Sequence, residues 1–225
     1  MWTANNMLNE AAARGSFIAA ALATITLSAS CGDVVRQGQS PAYLMIDSIL
    51  AASGARPAVF SNVLASDVVT LVERTIGGQT VQVATVFEDP GQAEVRLQLK
   101  DIGTVTGATT PTANNQITIT RYHVTYRRAD GRNTPGVDVP YGFDGAVTVT
   151  PGITGSVQFV FTLVRAQAKE ESPLKNLRNS GGASIISTIA DVTFYGHDQV
   201  GNDVAVTGSI SVNFADWGDP VGAGQ

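Results

Sequence analysis

Few residues in this chain could do chemistry, and their spacing limits what that chemistry is. There are two histidines and one cysteine. His197 precedes Asp198, and a histidine beside a carboxylate is half of a triad or of a metal pair. No nucleophile-elbow pattern supplies a serine, so the pair reads as a solvated hairpin tip. His123 lies between Tyr122 and Val124 in a strand pattern, where a local hydrogen bond is the expected role. Asp198, Asn202 and Asp203 offer oxygens to a hard cation, but they lack the acidic repeat and distal glutamate of a calcium loop. Turn chemistry is expected there, with no metal and no cofactor. The stretch 131–145, GRNTPGVDVPYGFDG, is different. Its glycines and prolines forbid a continuous strand, and long loops on rigid β scaffolds often bind. Asp138, Tyr141, Phe143 and Asp144 are therefore the candidate binding residues, a mixture of aromatic faces and carboxylates that suits a sugar or a partner's polar surface. Tyr141 and Phe143 are expected to be partly exposed at one end of the domain, tucked against the loop as a small satellite core.

Composition removes other options. Net charge is −5 over 225 residues, so no basic face is available for a nucleic-acid backbone. A lone cysteine excludes an internal disulfide framework and a cysteine-rich zinc site. Hydrophobic residues make up 44% of the chain, enough for a core, while charged residues are only 15%. The polar surface must come largely from Thr, Ser, Asn, Gln and Gly.

The N-terminus does not read like the rest. Arg14 precedes an apolar run, Phe17 to Leu27, followed by Ser28-Ala29-Ser30 and then Cys31. A charged start, an apolar stretch and small residues form a secretory signal, predicted over 1–30. The run is too short to span a bilayer, which takes about 20 apolar residues. The segment Leu27-Ser28-Ala29-Ser30-Cys31-Gly32 resembles the lipobox of bacterial lipoproteins, although Leu27 lies one place earlier than the family's usual leucine. That resemblance implies cleavage before Cys31 and acylation of its thiol and new amine. Each buried methylene of such a chain contributes about 0.8 kcal/mol of membrane affinity. Gly32, rather than aspartate, follows the cysteine, and by the same resemblance this implies the outer membrane. Residues 31–41 read as a tether and 42–225 as one domain.

That domain reads as strands. In 204–214, Val204, Val206, Ile210, Val212 and Phe214 share one face with Gly208, and Ala205, Thr207, Ser209, Ser211 and Asn213 share the other. Residues 93–100 and 157–163 alternate in the same way. The stretch 41–52 is predicted as a first strand. Gly77-Gly78 predicts a two-residue hairpin, Asp89-Pro90-Gly91 a turn, and 198–203 a longer hairpin. A change of phase within 117–126 predicts a bulge near Thr120 and Arg121. The stretch 103–116 is predicted as a surface loop. Ser172-Pro173 reads as the cap and first residue of a helix of about two turns, ending at Gly181-Gly182 with Leu174 and Leu177 inward. Lys169-Glu170-Glu171 reads as a solvated turn.

Frequent turns, many strands and no βαβ rhythm predict an all-β antiparallel β-sandwich with one short helix. The strand layout, with its final hairpin, looks like an immunoglobulin-like or fibronectin type III domain. The whole layout is similar to uncharacterised exported lipoproteins of environmental bacteria. The expected role is non-enzymatic: a lipid-anchored envelope protein that binds a partner or supports an assembly, with a carbohydrate-binding module as the alternative. Its expected partners are the membrane, through the anchor, and an envelope protein or glycan, not nucleic acid.

Overall fold

Alternating apolar and polar residues fold here as strands, and the long strands of the two main sheets bury one face. The structure, a computed structural model, describes residues 39–217. The predicted signal segment 1–30, Cys31 and most of the 31–41 tether lie outside the described residues. In chain order the strands are β1 (Ala42–Ala51), β2 (Val63–Asp67), β3 (Thr70–Ile76), β4 (Gln79–Thr85), β5 (Asp89–Leu99), β6 (Gly103–Thr104), β7 (Gly107–Ala108), β8 (Ile117–Arg127), β9 (Phe143–Val149), β10 (Ser156–Val164), β11 (Ile186–Asp198) and β12 (Asp203–Ala215). One short helix, α1 (Ala166–Glu170), lies between β10 and β11.

Two sheets share the core. One has the order β1-β5-β10 and the other β2-β12-β11-β8-β9. Every pairing is antiparallel except that of β2 with the C-terminal part of β12, which is parallel. The expectation of a purely antiparallel arrangement is corrected at this one pair. After β1 the chain passes through an isolated bridge, Ala51 to Ser61, before reaching β12 of the other sheet. A strand that arrives by crossover rather than by a hairpin can pair in parallel.

Aromatic rings fill the centre. Phe194 of β11 is fully buried, with its ring centroid 5.3 Å from those of both Phe159 and Phe161 on β10. Tyr122 of β8 lies 5.2 Å from Phe161 at an edge-on angle. The Tyr126 hydroxyl donates across the layers to the Leu163 carbonyl at 2.6 Å. Burial pushes that phenol above its ordinary pKa. Gly208 lets the two layers approach, and Gly91 makes room for the ring of its neighbour within the same sheet. A Cβ at Gly208 would lie 2.6 Å from Ile49 Cδ1, and one at Gly91 would lie 2.6 Å from Phe161 Cζ.

The final strand behaves as its alternation predicts. Val204, Ile210, Val212 and Phe214 are buried, and Val206 is half-buried. Ile210→Ala should therefore cost about 2–5 kcal/mol of unfolding free energy, whereas Ser211→Ala, on the exposed face, should stay within about 0.5 kcal/mol. Chemical denaturation of the two variants checks this, and equal losses would mean that both faces are buried.

The bulge falls where the change of phase placed it. The register of β8 slips between Ile119 and Arg121 against both neighbours; Thr120 is the extra residue against β11, whereas against β9 the extra residue lies on β9 between Ala146 and Val149. The Gly77-Gly78 turn is also as predicted, with both glycines at positive φ and β3 paired to β4.

Other predicted elements differ. Asp89-Pro90-Gly91 is not a turn but the start of β5, because Gly91 makes room for the Phe161 ring and Asp89 is drawn into the interior. The predicted helix after Ser172 is instead α1, earlier in the chain, plus a 3-10 turn at Leu174–Leu177. The Ser172-Pro173 peptide is cis, and Ser172 does not cap. A spacing of three between two buried leucines fits the 3-10 repeat as well as an α-helix. The 103–116 stretch holds the small β6–β7 hairpin and a 3-10 turn at Ala113–Asn115.

Lys169 is the largest departure. Glu170 and Glu171 reach the surface, but Lys169 is 1% exposed and pairs with Asp89, which is 0% exposed. Its Nζ lies 2.9 Å from Oδ1 and 2.8 Å from Oδ2 of Asp89. The Gly54 N–H donates to Oδ1 at 2.7 Å and the Ser66 hydroxyl to Oδ2 at 2.6 Å.

Candidate binding face

The loop before β9 does not assemble its four predicted residues into one site. Phe143 is the first residue of β9 and is 7% exposed, with its ring edge-on to Tyr122 and the Arg165 guanidinium 4.5 Å above it. Tyr141 is 51% exposed and lies against Gly136, where a Cβ would sit 2.3 Å from its hydroxyl. The loop folds on Val139, which is buried, rather than on the two aromatics. Asp138 serves the loop itself: its carboxylate accepts from the Thr134 N–H at 3.1 Å. Asp144 follows Phe143 on a strand and so faces the opposite way, outward. The expected satellite core of Tyr141 and Phe143 is thus divided, one ring joining the main core and the other facing solvent. Tyr141→Ala should lower stability by less than about 1 kcal/mol, and Phe143→Ala by about 3–5 kcal/mol. Thermal melts of the two variants read this out, and a large loss for Tyr141→Ala would mean that its ring carries the loop.

The 198–203 hairpin is turn chemistry. Asp198 accepts from the Val200 N–H at 3.1 Å, the Asn202 N–H at 2.8 Å and the Asn202 side chain at 2.9 Å. Among the described residues no group of three or more His, Cys, Asp or Glu is placed to hold a metal ion.

Asp144 belongs to a different constellation, on the outer face of the five-stranded sheet. Cross-strand pairing puts Asp144, His123, Thr193 and Thr207 in one row from β9 to β12. His123 Nδ1 lies 3.1 Å from Asp144 Oδ1, and Arg121 Nη1 lies 3.4 Å from the same oxygen. The hydroxyls of Thr193 and Thr207 bond each other at 2.8 Å. In the next row Arg121 lies over Tyr195, its guanidinium carbon 4.1 Å from the ring centroid. On the other side Arg127 Nε bonds Asp191 at 2.6 Å, and Ser209 donates to the same carboxylate. Partial burial disfavours the charge on Asp191, but the hydrogen bonds from Arg127 and Ser209 prevail and hold its pKa below the ordinary value.

This face is polar and internally paired. Rows of paired charges and hydroxyls can hydrogen-bond and stack against another surface. The Thr193 hydroxyl bonds Thr207 rather than His123, so these contacts form no nucleophile–base relay. Sequence reasoning picked out Asp144 and His123 singly and missed Arg121, Asp191, Thr193 and Tyr195. Their outward parity is readable within each strand, but the rows exist only once β8, β11 and β12 are set in register. Comparison of the chain with family models, with curated proteins and with solved structures finds no match.

Proposed function

We propose that this protein is a lipid-anchored cell-envelope protein whose body is an immunoglobulin-like β-sandwich with a non-enzymatic binding or structural role. The anchor rests on the apolar run Phe17–Leu27, the small residues before the only cysteine, and Cys31 itself. Gly32 after that cysteine favours the outer membrane. Strand order supports the immunoglobulin-like reading: three strands face five, the hairpin β11–β12 lies inside the larger sheet, and an early strand pairs in parallel with the last. The observation that carries the binding role is the polar outer face around Arg121, His123 and Tyr195. Its occupant is a folded envelope partner with a polar surface. A glycan is the alternative, favoured by exposed Tyr141 beside a loop that contains Asp138.

Three measurements test this. Intact-mass analysis of membrane-extracted protein should place an acyl mass on a peptide beginning at Cys31, and Cys31→Ala should become soluble. Undiminished membrane association of that variant removes the anchor. A photoreactive residue at Thr207 should trap one partner in intact cells, and Arg121→Glu should abolish the adduct with the melting temperature kept. A glycan array that binds the protein, with loss of binding in Tyr141→Ala, would favour the sugar instead.

A further inference from the structure

We propose that Lys169 and Asp89 condense to an intramolecular amide when the protein folds. An amine and a carboxyl carbon are held in contact at a site where both side chains are almost wholly removed from water. Two elements place them. Asp89 opens β5, and Lys169 is in the last turn of α1, where the Arg178 guanidinium bonds its carbonyl at 3.1 Å and Glu170 at 2.8 Å. The partners are 80 residues apart in sequence, so only the folded chain brings them together.

The surroundings suit the reaction. In the first step one proton passes from the Lys169 ammonium to Asp89 Oδ2, in direct contact with it, which leaves an amine beside a carboxylic acid. The Nζ lone pair then adds to Cγ, forming the C–N bond. Oδ1 takes the negative charge and is held by the Gly54 N–H, already 2.7 Å away. Oδ2 leaves as its bond to Cγ breaks. The Ser66 hydroxyl, 2.6 Å from Oδ2, relays a proton to it from the nitrogen. One amine and one acid become one amide and one water, with no oxidant or reductant. Fixed proximity replaces an encounter in solution, and exclusion of water opposes the reverse hydrolysis. The product carries no charge, and its carbonyl keeps the Gly54 donor.

The mass of the full chain decides the matter. Protein purified in its folded state should be lighter than its sequence and any attached lipid require by one water. Trypsin should fail to cut after Lys169, and tandem mass spectrometry should find a branched peptide joining the segments that contain Asp89 and Lys169. Lys169→Arg should keep the full mass. Asp89→Asn should lose one ammonia in place of one water, which distinguishes condensation here from dehydration elsewhere. Full mass in the folded wild-type protein, with normal cleavage after Lys169, would overturn the proposal whether or not either variant folds.

Discussion

Replacing Lys169 with methionine should lower the unfolding free energy by about 3–5 kcal/mol, read from the denaturant midpoint. The loss comes less from the contact removed than from what is left. Asp89 would stay fully buried with only the Gly54 N–H and the Ser66 hydroxyl against its charge. A second change, Asp89→Asn, should then recover part of the loss, because no buried charge remains. The coupling between the two positions, measured as a double-mutant cycle, should be well above the roughly 0.3–0.5 kcal/mol within which independent sites add. A covalent link between the two side chains would enlarge the single-variant loss. A single-variant loss below about 1 kcal/mol would show that water reaches Asp89.

The second large effect belongs to Phe194. Truncation to alanine should cost about 3–5 kcal/mol, since a fully buried ring leaves a cavity that its neighbours cannot close. The neighbours matter here. Phe159, Phe161 and Tyr122 all meet this ring at tilted or edge-on angles, and such pairs add about 0.5–1.5 kcal/mol each beyond buried area. Phe194→Leu keeps most of the volume and loses the ring contacts, so it should fall clearly between wild type and alanine. Thermal unfolding of both variants checks the order. Equal losses would mean that ring geometry, not volume, dominates the site.

The residues that were legible in the sequence share a cause. Period-two alternation is local, so the burial of β12, β5 and β10 could be read directly from side-chain types, as could the bulge at Thr120 and the turn at Gly77-Gly78. The residues that misled did so because their roles are set from far away. Asp89-Pro90-Gly91 has turn composition, yet the glycine answers to Phe161 and the aspartate to Lys169. Lys169 sits in a run of charges that looks solvated, and only its partner 80 residues upstream explains its burial. Leu174 and Leu177 announce a helical face without saying which helix. The same limit applies to the outer face. Arg121 and Tyr195 lie on different strands, and their stacking follows from a register that no single strand encodes. Phe143 and Asp144 are adjacent, so the loop composition that nominated both could not separate the one that packs inward from the one that faces out.

The β3–β4 hairpin has a consequence for how the protein opens. Its two strands pair with each other and with neither main sheet, and Leu71, Ile76 and Val81 remain exposed on it. A two-stranded ribbon without a packed face is marginal by itself, so its amides should exchange with deuterium long before those of β11, through a local fluctuation that leaves the aromatic centre intact. The chain can therefore lose and regain this arm without unfolding. Sequence inserted at Gly77-Gly78 should be carried as cargo, because the rest of the domain does not use the arm to hold itself together.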